Sequence, residues 1–289
     1  MSARSHVDGD GQEGDAVLVK HTIDSKEVAR LYVDERLTAE EVAKRIGCSE
    51  TTVRRRLRSH ALVVRSRGPG QREPATGGWT RERAYAVGLL ATDGNLSRDG
   101  RHLTVTSADP DLLGVLQACL RLQANVRRVG PQGRCYRIQW SDRRFYEWVE
   151  SIGLSPAKSR TLGALSVPDE YFADFARGCI DGDGSIVVYV DRYHSDRNAR
   201  YVYERLYVTL VSASRPFVDW FRASLLRFVG IRGSVSERMS RSGRPYWVLR
   251  YARHESRRLL PWIYYAPSLP CLARKRARSE PFLRLTRTS

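Results

Sequence analysis

Residues 84–94, with the sequence AYAVGLLATDG, decide how the rest of this chain is organised. The segment from Tyr85 to Ala91 is apolar throughout, and a helix that is apolar on every side belongs in a core rather than on a surface. Residues 175–184, FARGCIDGDG, repeat the pattern of an apolar helix that contains a glycine and runs into an acid and a second glycine. The repetition predicts two central helices that lie side by side.

Each of these helices is predicted to end in an acid followed by a glycine. Gly94 and Gly184 occupy positions where a helix commonly stops with a left-handed cap, which places Asp93 and Asp183 at helix C-termini. The helix dipole disfavours negative charge there. A shared divalent cation would offset the repulsion between two carboxylates that converge at such a place. We therefore expect a metal site between Asp93 and Asp183.

Small residues in the two helices favour a close approach of their backbones. Ala84 and Gly88 are four residues apart in the first helix, and Gly178 is the glycine of the second. We expect these three residues to form the interface between the helices.

An Asp-Gly pair alone is weak evidence, because it is first of all a turn sequence. Residues 8–11 have the same letters, DGDG, as residues 181–184, but no apolar helix precedes them. An EF-hand at 181–185 is excluded because Ile186 stands where that loop requires glycine. The interpretation therefore depends on the repeated unit of helix, acid and glycine.

The two segments resemble the paired motifs of LAGLIDADG homing endonucleases, in the single-chain form that carries two copies. In the second copy Gly178, Asp181, Asp183 and Gly184 match the motif, whereas the first copy has Ala91 where the first acid of the motif would stand. The resemblance implies a pseudo-twofold fold and an enzyme that cuts both strands of a long, asymmetric DNA site. It also implies Mg²⁺ or Mn²⁺ as cofactor, bound by the last acid of each motif.

The composition favours a nucleic-acid-binding globular protein. The 289 residues carry a formal net charge of +17, and 44 of the 49 basic residues are arginine, which suggests nucleic acid as the first candidate partner and an acidic membrane surface as the second. Five scattered cysteines without a CxxC pair argue for reduced thiols and against structural zinc. No apolar run reaches transmembrane length and no signal peptide opens the chain, so we expect a cytoplasmic protein that is associated with the nucleoid through DNA.

Residues 19–65 are predicted to form a helix-turn-helix module. Three short helices can be read between Ser25 and Leu62, the second opened by a capping box of Thr38 and Glu41. The segment is similar to the helix-turn-helix modules of resolvases and invertases, whose recognition helix enters a major groove. A small helical hairpin with a solvated basic face is the alternative. The residues expected to contact bases are Ser49, Glu50, Thr51 and Arg55, and those expected to contact phosphates are Arg54 and Arg58.

The whole chain is divided by composition and by the repeated motif. The predicted segments are a disordered tail at 1–18, the helix-turn-helix module at 19–65, a flexible linker at 66–78, a first LAGLIDADG repeat at 79–165, a second repeat at 166–282 and a tail at 283–289.

After Trp79 the order of predicted elements occurs twice, which indicates an internal duplication. Each half reads as αββαββα, and the fold class is therefore α+β with two four-stranded antiparallel sheets. Two local matches set the expected register of the halves, 103–107 with 206–210 and 136–140 with 246–250. The exposed faces of the two sheets would form a saddle for duplex DNA, because a two-stranded ribbon fits the major groove.

Side chains that alternate outward along these strands are the predicted base readers. In the first half they are Arg101, Thr104, Thr106, Arg127, Arg137 and Gln139, and in the second Arg205, Tyr207, Thr209, Glu237 and Arg250. A longer polar loop at 191–200 is expected to contact phosphates. A merely solvated strand face is the alternative for each of these residues.

Lysine gives a second clue, because the chain contains only five. Lys158 and Lys275 occupy equivalent late positions in the two halves and resemble the family's basic residue beside the active centre. A lysine can shift its pKa on burial and stabilise charge at a phosphate, which arginine cannot match. Ser107 and Ser212, at the ends of equivalent strands, are expected nearby. Surface lysines on connecting segments are the alternative.

Together these features predict a site-specific endonuclease that makes double-strand breaks in DNA, with Asp93, Asp183, Lys158 and Lys275 as its catalytic residues. We expect a monomer without an obligate protein partner, since both halves are in one chain. The alternatives are a non-cleaving transcription regulator with a LAGLIDADG-like domain and an RNA maturase.

Overall fold

The computed structural model describes residues 24–35, 37–60, 62, 78–192 and 203–283. The chain divides into two compact units, Met1–Gly70 and Gln71–Ser289. The predicted tail at 1–18 lies outside the described residues. So do most of the linker at 66–78, the polar loop at 191–200 and the tail at 283–289.

The first unit contains three short helices, α1 (Ser25–Val33), α2 (Ala39–Ile46) and α3 (Glu50–Ser59). The predicted capping box is present at α2, where the Thr38 hydroxyl accepts from the Glu41 N–H and the Glu41 carboxylate accepts from the Thr38 N–H. Gly47 ends α2 in the left-handed region at φ +76°. Apolar side chains from all three helices form one small core.

The second unit repeats one order of elements. Its first half comprises α4 (Arg81–Thr92), β1 (Gly94–Leu96), β2 (His102–Ser107), α5 (Pro110–Leu120), β3 (Val126–Val129), β4 (Cys135–Ser141) and α6 (Arg143–Ser151). Its second half comprises α7 (Phe172–Asp183), β5 (Gly184–Asp191), β6 (Tyr203–Ser212), α8 (Arg215–Val229), β7 (Ser234–Met239), β8 (Pro245–Tyr251) and α9 (Arg253–Ile263). A further helix, α10 (Ala273–Leu283), follows where the first half has only the short 3₁₀ turn Lys158–Arg160.

Each half forms a four-stranded antiparallel sheet, with strand orders β1-β2-β4-β3 and β5-β6-β8-β7. The predicted α+β class and the duplicated αββαββα plan are therefore confirmed. Helices of each half cover one face of its sheet, and the apolar residues of both halves join in one core. Among the described residues no helix is both long and apolar enough to cross a membrane.

The centre of this core is the contact between α4 and α7. All eight residues from Ala84 to Ala91 are buried. A Cβ atom on Gly88 would overlap the carbonyl oxygen of Phe175 and would lie 2.8 Å from the Cys179 nitrogen, and one on Gly178 would overlap the carbonyl oxygen of Tyr85. The two helices thus touch backbone to backbone, which only glycine permits at these positions.

The predicted left-handed caps after the two helices are wrong. Gly184 has an extended conformation, φ −101° and ψ 170°, and Gly94 is the first residue of β1 without a positive φ. Glycine is needed there for space. A Cβ on Gly94 would lie 2.6 Å from the Leu90 carbonyl oxygen, and one on Gly184 would lie 2.6 Å from that of Ile180. Each helix therefore turns directly into the first strand of its sheet.

The expected register between the halves also differs from the one observed. Gly94 pairs with Val105, and the equivalent Gly184 pairs with Leu210. Val105 therefore corresponds to Leu210, whereas the sequence match aligns it with Val208. This shift of two residues leaves every side chain on the expected face of the sheet. The match of 136–140 with 246–250 is wrong by one residue, because Gln139 and Arg250 are the residues that pair with equivalent threonines. A slip of one residue exchanges the faces of a strand. The alternation of apolar and polar residues could not reveal this error of one residue in β8, since the first four residues of β8 are all half-buried.

The close helix contact predicts a strong response to the smallest side chain. Gly88→Ala is expected to destabilise the protein by about 3 kcal/mol, because the added methyl group overlaps the backbone of α7. Gly114→Ala is the matched control. Gly114 is an exposed glycine of α5 with open space at its Cβ position, so its substitution should stabilise by about 0.5–1 kcal/mol. Urea denaturation measures both, and an unchanged midpoint for Gly88→Ala would contradict the packing.

Candidate functional site

The two motif helices bring their terminal carboxylates together. Asp93 is the C-cap of α4, and Asp183 is the last residue of α7. A Cβ on Gly182 would overlap the Thr92 hydroxyl and would lie 2.9 Å from the Asp93 carboxylate, so the end of α4 lies directly on the backbone beside Asp183. The predicted convergence of Asp93 and Asp183 is therefore present in the structure.

Desolvation perturbs both carboxylates, and the charge of Asp183 adds to the effect at Asp93. Desolvation, followed by the charge of Asp183, raises the pKa of Asp93 to about 7, although Lys275 and Lys158 oppose the shift. Partial desolvation likewise raises the pKa of Asp183, although Lys158 and Lys275 oppose the shift. Because the pKa of Asp93 in the folded chain lies above its unfolded value of about 4, the stability that this group contributes is present at acid pH and is lost as pH rises through about 7. Such a strained pair of acids is typical of a functional site.

Lys158 lies beside this pair, as predicted. It is only 3% exposed, and its Nζ donates to the Gly94 carbonyl oxygen at 2.5 Å. Burial lowers the pKa of Lys158 to about 8, while the charges of Asp183 and Asp93 raise it. Its other two N–H groups have no partner among the residues that the structure describes.

Lys275 is equally buried but is engaged differently. Its Nζ donates to the carbonyl oxygens of Ile180 (2.6 Å), Asp181 (2.7 Å) and Gly184 (2.7 Å). An ammonium group has three donors, so all of them are used at the end of α7. Lys275 therefore holds the helix end that carries Asp183, whereas Lys158 keeps donors for another partner. Burial lowers the pKa of Lys275 to about 8 as well.

Asp181, the first acid of the second motif, serves the helix contact. One carboxylate oxygen accepts from the Tyr85 hydroxyl at 2.8 Å and from the Leu272 N–H at 2.7 Å. Burial raises the pKa of Asp181 to about 6, although these two hydrogen bonds lower it. Its counterpart Ala91 is buried among apolar residues. Having alanine at position 91 instead of the motif's first acid thus means that the first half lacks a hydrogen bond between the helices of the kind that Asp181 makes. It does not affect Asp93 or Asp183.

The outward face of the first sheet collects five of the predicted base readers. Thr104 pairs with Gln139, and Thr106 pairs with Arg137, which in turn pairs with Arg127. All five side chains lie opposite the buried face of Leu103 and Val105. The Arg137 Nε donates to the Thr106 hydroxyl at 3.2 Å. Arg101, the sixth, lies in the exposed turn before β2.

The second sheet presents four of its five predicted readers on the outward face, Arg205, Tyr207, Thr209 and Arg250. The outward direction expected for Glu237 is wrong. Glu237 pairs with Trp247, and both lie on the face of Val235 and Leu249 that turns to the core. The prediction for Glu237 failed because β7 is an edge strand in which five of the six residues are exposed. The alternation of buried and exposed residues therefore does not distinguish the two faces of this strand.

Several arginines on the helices are paired with acids, whereas most of those that the structure describes on the outward strand faces are not. On the helices, several arginines are neutralised by neighbouring acids: Arg143 by Glu147, Arg215 by Asp219, Arg227 by Asp169, Arg274 by Asp109 and Arg276 by Glu280. Among the strand residues that the structure describes, only Asp191 is an acid on either outward face, and it pairs with Arg205 at 2.9 Å. Arg127, Arg137 and Arg250 therefore leave these faces positive.

In the three-helix unit the predicted contacts fall into two groups. Thr51, Arg55 and Arg58 are exposed, and their spacing of four and three residues places them on one side of α3. Glu50 and Arg54 form an ion pair at 2.8 Å along the helix. Ser49 caps α3 by accepting from the Thr52 N–H at 3.2 Å. These last three residues are thus engaged within the helix itself.

Some contributors were not predicted, and two expected ones are placed elsewhere. Gly182 provides the space for Thr92 and Asp93, and Tyr85 bonds to Asp181; the repeated glycines are the one signal that could have indicated such close contact. Ser107 and Ser212 do not contact the carboxylates in the described structure. Their hydroxyls accept from the N–H two residues later, in the turns that lead into α5 and α8.

No match was found among protein-family models or among curated proteins. Among solved structures, the chain is similar to the I-LtrWI LAGLIDADG homing endonuclease bound to target DNA (13% identity, TM-score 0.46, 70% of this chain and 88% of that chain). It is also similar to the N-terminal LAGLIDADG domain of WhiA (15%, 0.43, 68% and 87%) and to the meganuclease I-SmaMI bound to uncleaveable DNA (10%, 0.46, 71% and 88%). Likenesses at such identities and TM-scores do not establish a family or an activity for this chain.

The two lysines predict different responses to the same substitution. Lys275→Met leaves three carbonyl oxygens without their donor and is expected to destabilise the protein by about 3 kcal/mol or more, whereas Lys158→Met removes one bond and should cost about 1 kcal/mol. Equal melting temperatures for the two variants would contradict the distinct roles.

Proposed function

We propose that this chain is a metal-dependent, site-specific DNA endonuclease. The observation that carries the proposal is the pair of carboxylates Asp93 and Asp183, which the touching ends of two helices bring so close that the charge of Asp183 raises the pKa of Asp93. Each helix leads directly into a sheet whose outward face is basic, so the pair would lie close to DNA bound on both sheets.

The donor set fits a magnesium-type ion better than zinc. No group of three or more His, Cys, Asp or Glu residues that could hold a metal is found among the described residues. Mg²⁺ typically uses one or two carboxylates and completes its shell with water and substrate phosphate, which suits Asp93 and Asp183. A cation between them would also relieve the repulsion that raises the pKa of Asp93. Mn²⁺ has the same preference for oxygen.

The residues of the site divide the work of phosphodiester hydrolysis. The ion, when bound, supplies Lewis-acid activation of water and of the scissile phosphate. Asp93 and Asp183 would hold it from two helices, and each acid would serve mainly one DNA strand. The ammonium of Lys158 offsets charge that develops on the phosphate, with two N–H groups left for that contact. Lys275 keeps the end of α7 in place.

The three-helix unit would add a second DNA contact. Its exposed stripe of Thr51, Arg55 and Arg58 suits a helix-turn-helix whose third helix enters a major groove. Because this module and the two-sheet unit are in one chain, binding of either one to DNA raises the local concentration of the other near the adjoining DNA. The two units therefore strengthen each other's binding. The full chain would act as a monomer, because it supplies both carboxylates.

The experiment that tests the proposal starts from a library of randomised duplexes. Duplexes bound in Ca²⁺ are recovered and then incubated with Mg²⁺, and the cut ends are sequenced. We expect the wild type to cut both strands at a defined position. Asp93→Asn and Asp183→Asn should bind as tightly but cut at least about a hundredfold more slowly. Arg55→Ala combined with Arg58→Ala is the control that should weaken binding and its salt dependence without slowing cutting once DNA is bound.

Binding without cutting by the wild type in Mg²⁺ would contradict the nuclease and leave a non-cleaving DNA-binding regulator. Undiminished cutting by both asparagine variants would remove Asp93 and Asp183 from the chemistry. Preference for RNA over duplex DNA in the same assay would favour a maturase.

A further inference from the structure

A two-stranded ribbon extends from the second sheet. β5 pairs with β6 along all eight of its residues, whereas β8 joins β6 only from Val208 onward. Residues 187–191 and 203–207 therefore pair only with each other. β1 ends at Leu96 after three residues, so the first half has no counterpart to this ribbon in its first hairpin.

The outward face of the ribbon carries valine and tyrosine side chains beside the ion pair of Asp191 and Arg205, unlike that of the first sheet. Val187 is 39% exposed and Tyr189 is 47% exposed, and Tyr207 is paired with Val187 on the same face. The first sheet presents hydrogen-bonding side chains on its outward face near its carboxylate, Asn95, Thr104 and Gln139. The two halves thus offer different chemistry to a common ligand.

The Tyr207 ring is packed against two neighbouring side chains. The ring centroids of Tyr189 and Tyr207 are 6.4 Å apart at an interplanar angle of 34°, and the guanidinium of Arg250 lies 3.6 Å from the centroid of the Tyr207 ring. Rings that are already packed against neighbours lose little further freedom on binding. Arg250 also adds positive charge at the border of the apolar surface, which favours a polyanionic duplex as the molecule that covers it.

We propose that Val187, Tyr189 and Tyr207 read thymine methyl groups in the major groove, an inference that rests on the proposed DNA binding. Thymine carries its C5-methyl group there, and apolar side chains contact it. Val187 and Tyr189 follow Asp183 by four and six residues, which is about 13 and 20 Å along a strand. At about 3.4 Å per base pair, they reach bases about four to six pairs from the scissile phosphate.

The test measures binding of the full chain to the duplex recovered from the randomised library, with deoxyuridine in place of single thymines. Deoxyuridine lacks only the methyl group, and its loss from an apolar contact should weaken binding of the wild type about fourfold. Val187→Ser should abolish that loss at the same thymine, because the methyl group no longer meets an apolar partner. Gln139→Ala, on the outward face of the first sheet, is the control that should leave the uridine effect unchanged.

The outcomes separate this proposal from the proposed function. Recovery of no preferred duplex would contradict DNA recognition itself. A preferred duplex without a uridine-sensitive thymine at the expected distance from the cut or the centre would overturn the methyl readout alone. So would a uridine effect that persists undiminished in Val187→Ser with an unchanged melting temperature, because a residue other than Val187 would then contact that methyl group.

Discussion

The backbone contact between α4 and α7 is the constraint on which the rest of the structure depends. Gly88 and Gly178 let the helices approach so closely that a methyl group at either position would overlap the facing backbone. The same approach puts the end of α4 on Gly182 and brings Asp93 beside Asp183. Fold and candidate site therefore rest on one contact, since any change that separates the helices also separates the carboxylates.

The two halves stabilise this arrangement by different means. In the second half Arg177 is fully buried and donates to Asp174 and to the carbonyl oxygens of Ile263 and Pro270, which fixes the segment before α10 and with it Lys275. The counterpart of Arg177 in the first half is Val87, in the apolar segment from Tyr85 to Ala91 of α4. Duplication has thus kept the carboxylates and the shape while the support around each one has diverged.

The sequence predicts most of the fold because its strongest signals are repeated. Two apolar helices that each contain a glycine and end in an acid could be read directly, as could the order of strands and helices. Three features could not. Gly94 looks like a left-handed cap but is required by a close contact; Glu237 lies on an edge strand without alternation; and the three carbonyl partners of Lys275 exist only after α10 has packed onto α7.

The central claim is that the charges of Asp93 and Asp183 act on each other, and the carboxyl pKa of Asp93 measures this directly. Carbon-13 NMR titration of the metal-free protein should give a pKa of about 7 for Asp93, from burial and from the charge of Asp183. In Asp183→Asn, which keeps the shape and removes the charge, the pKa of Asp93 should fall. A pKa for Asp93 that is the same in both proteins would contradict the account.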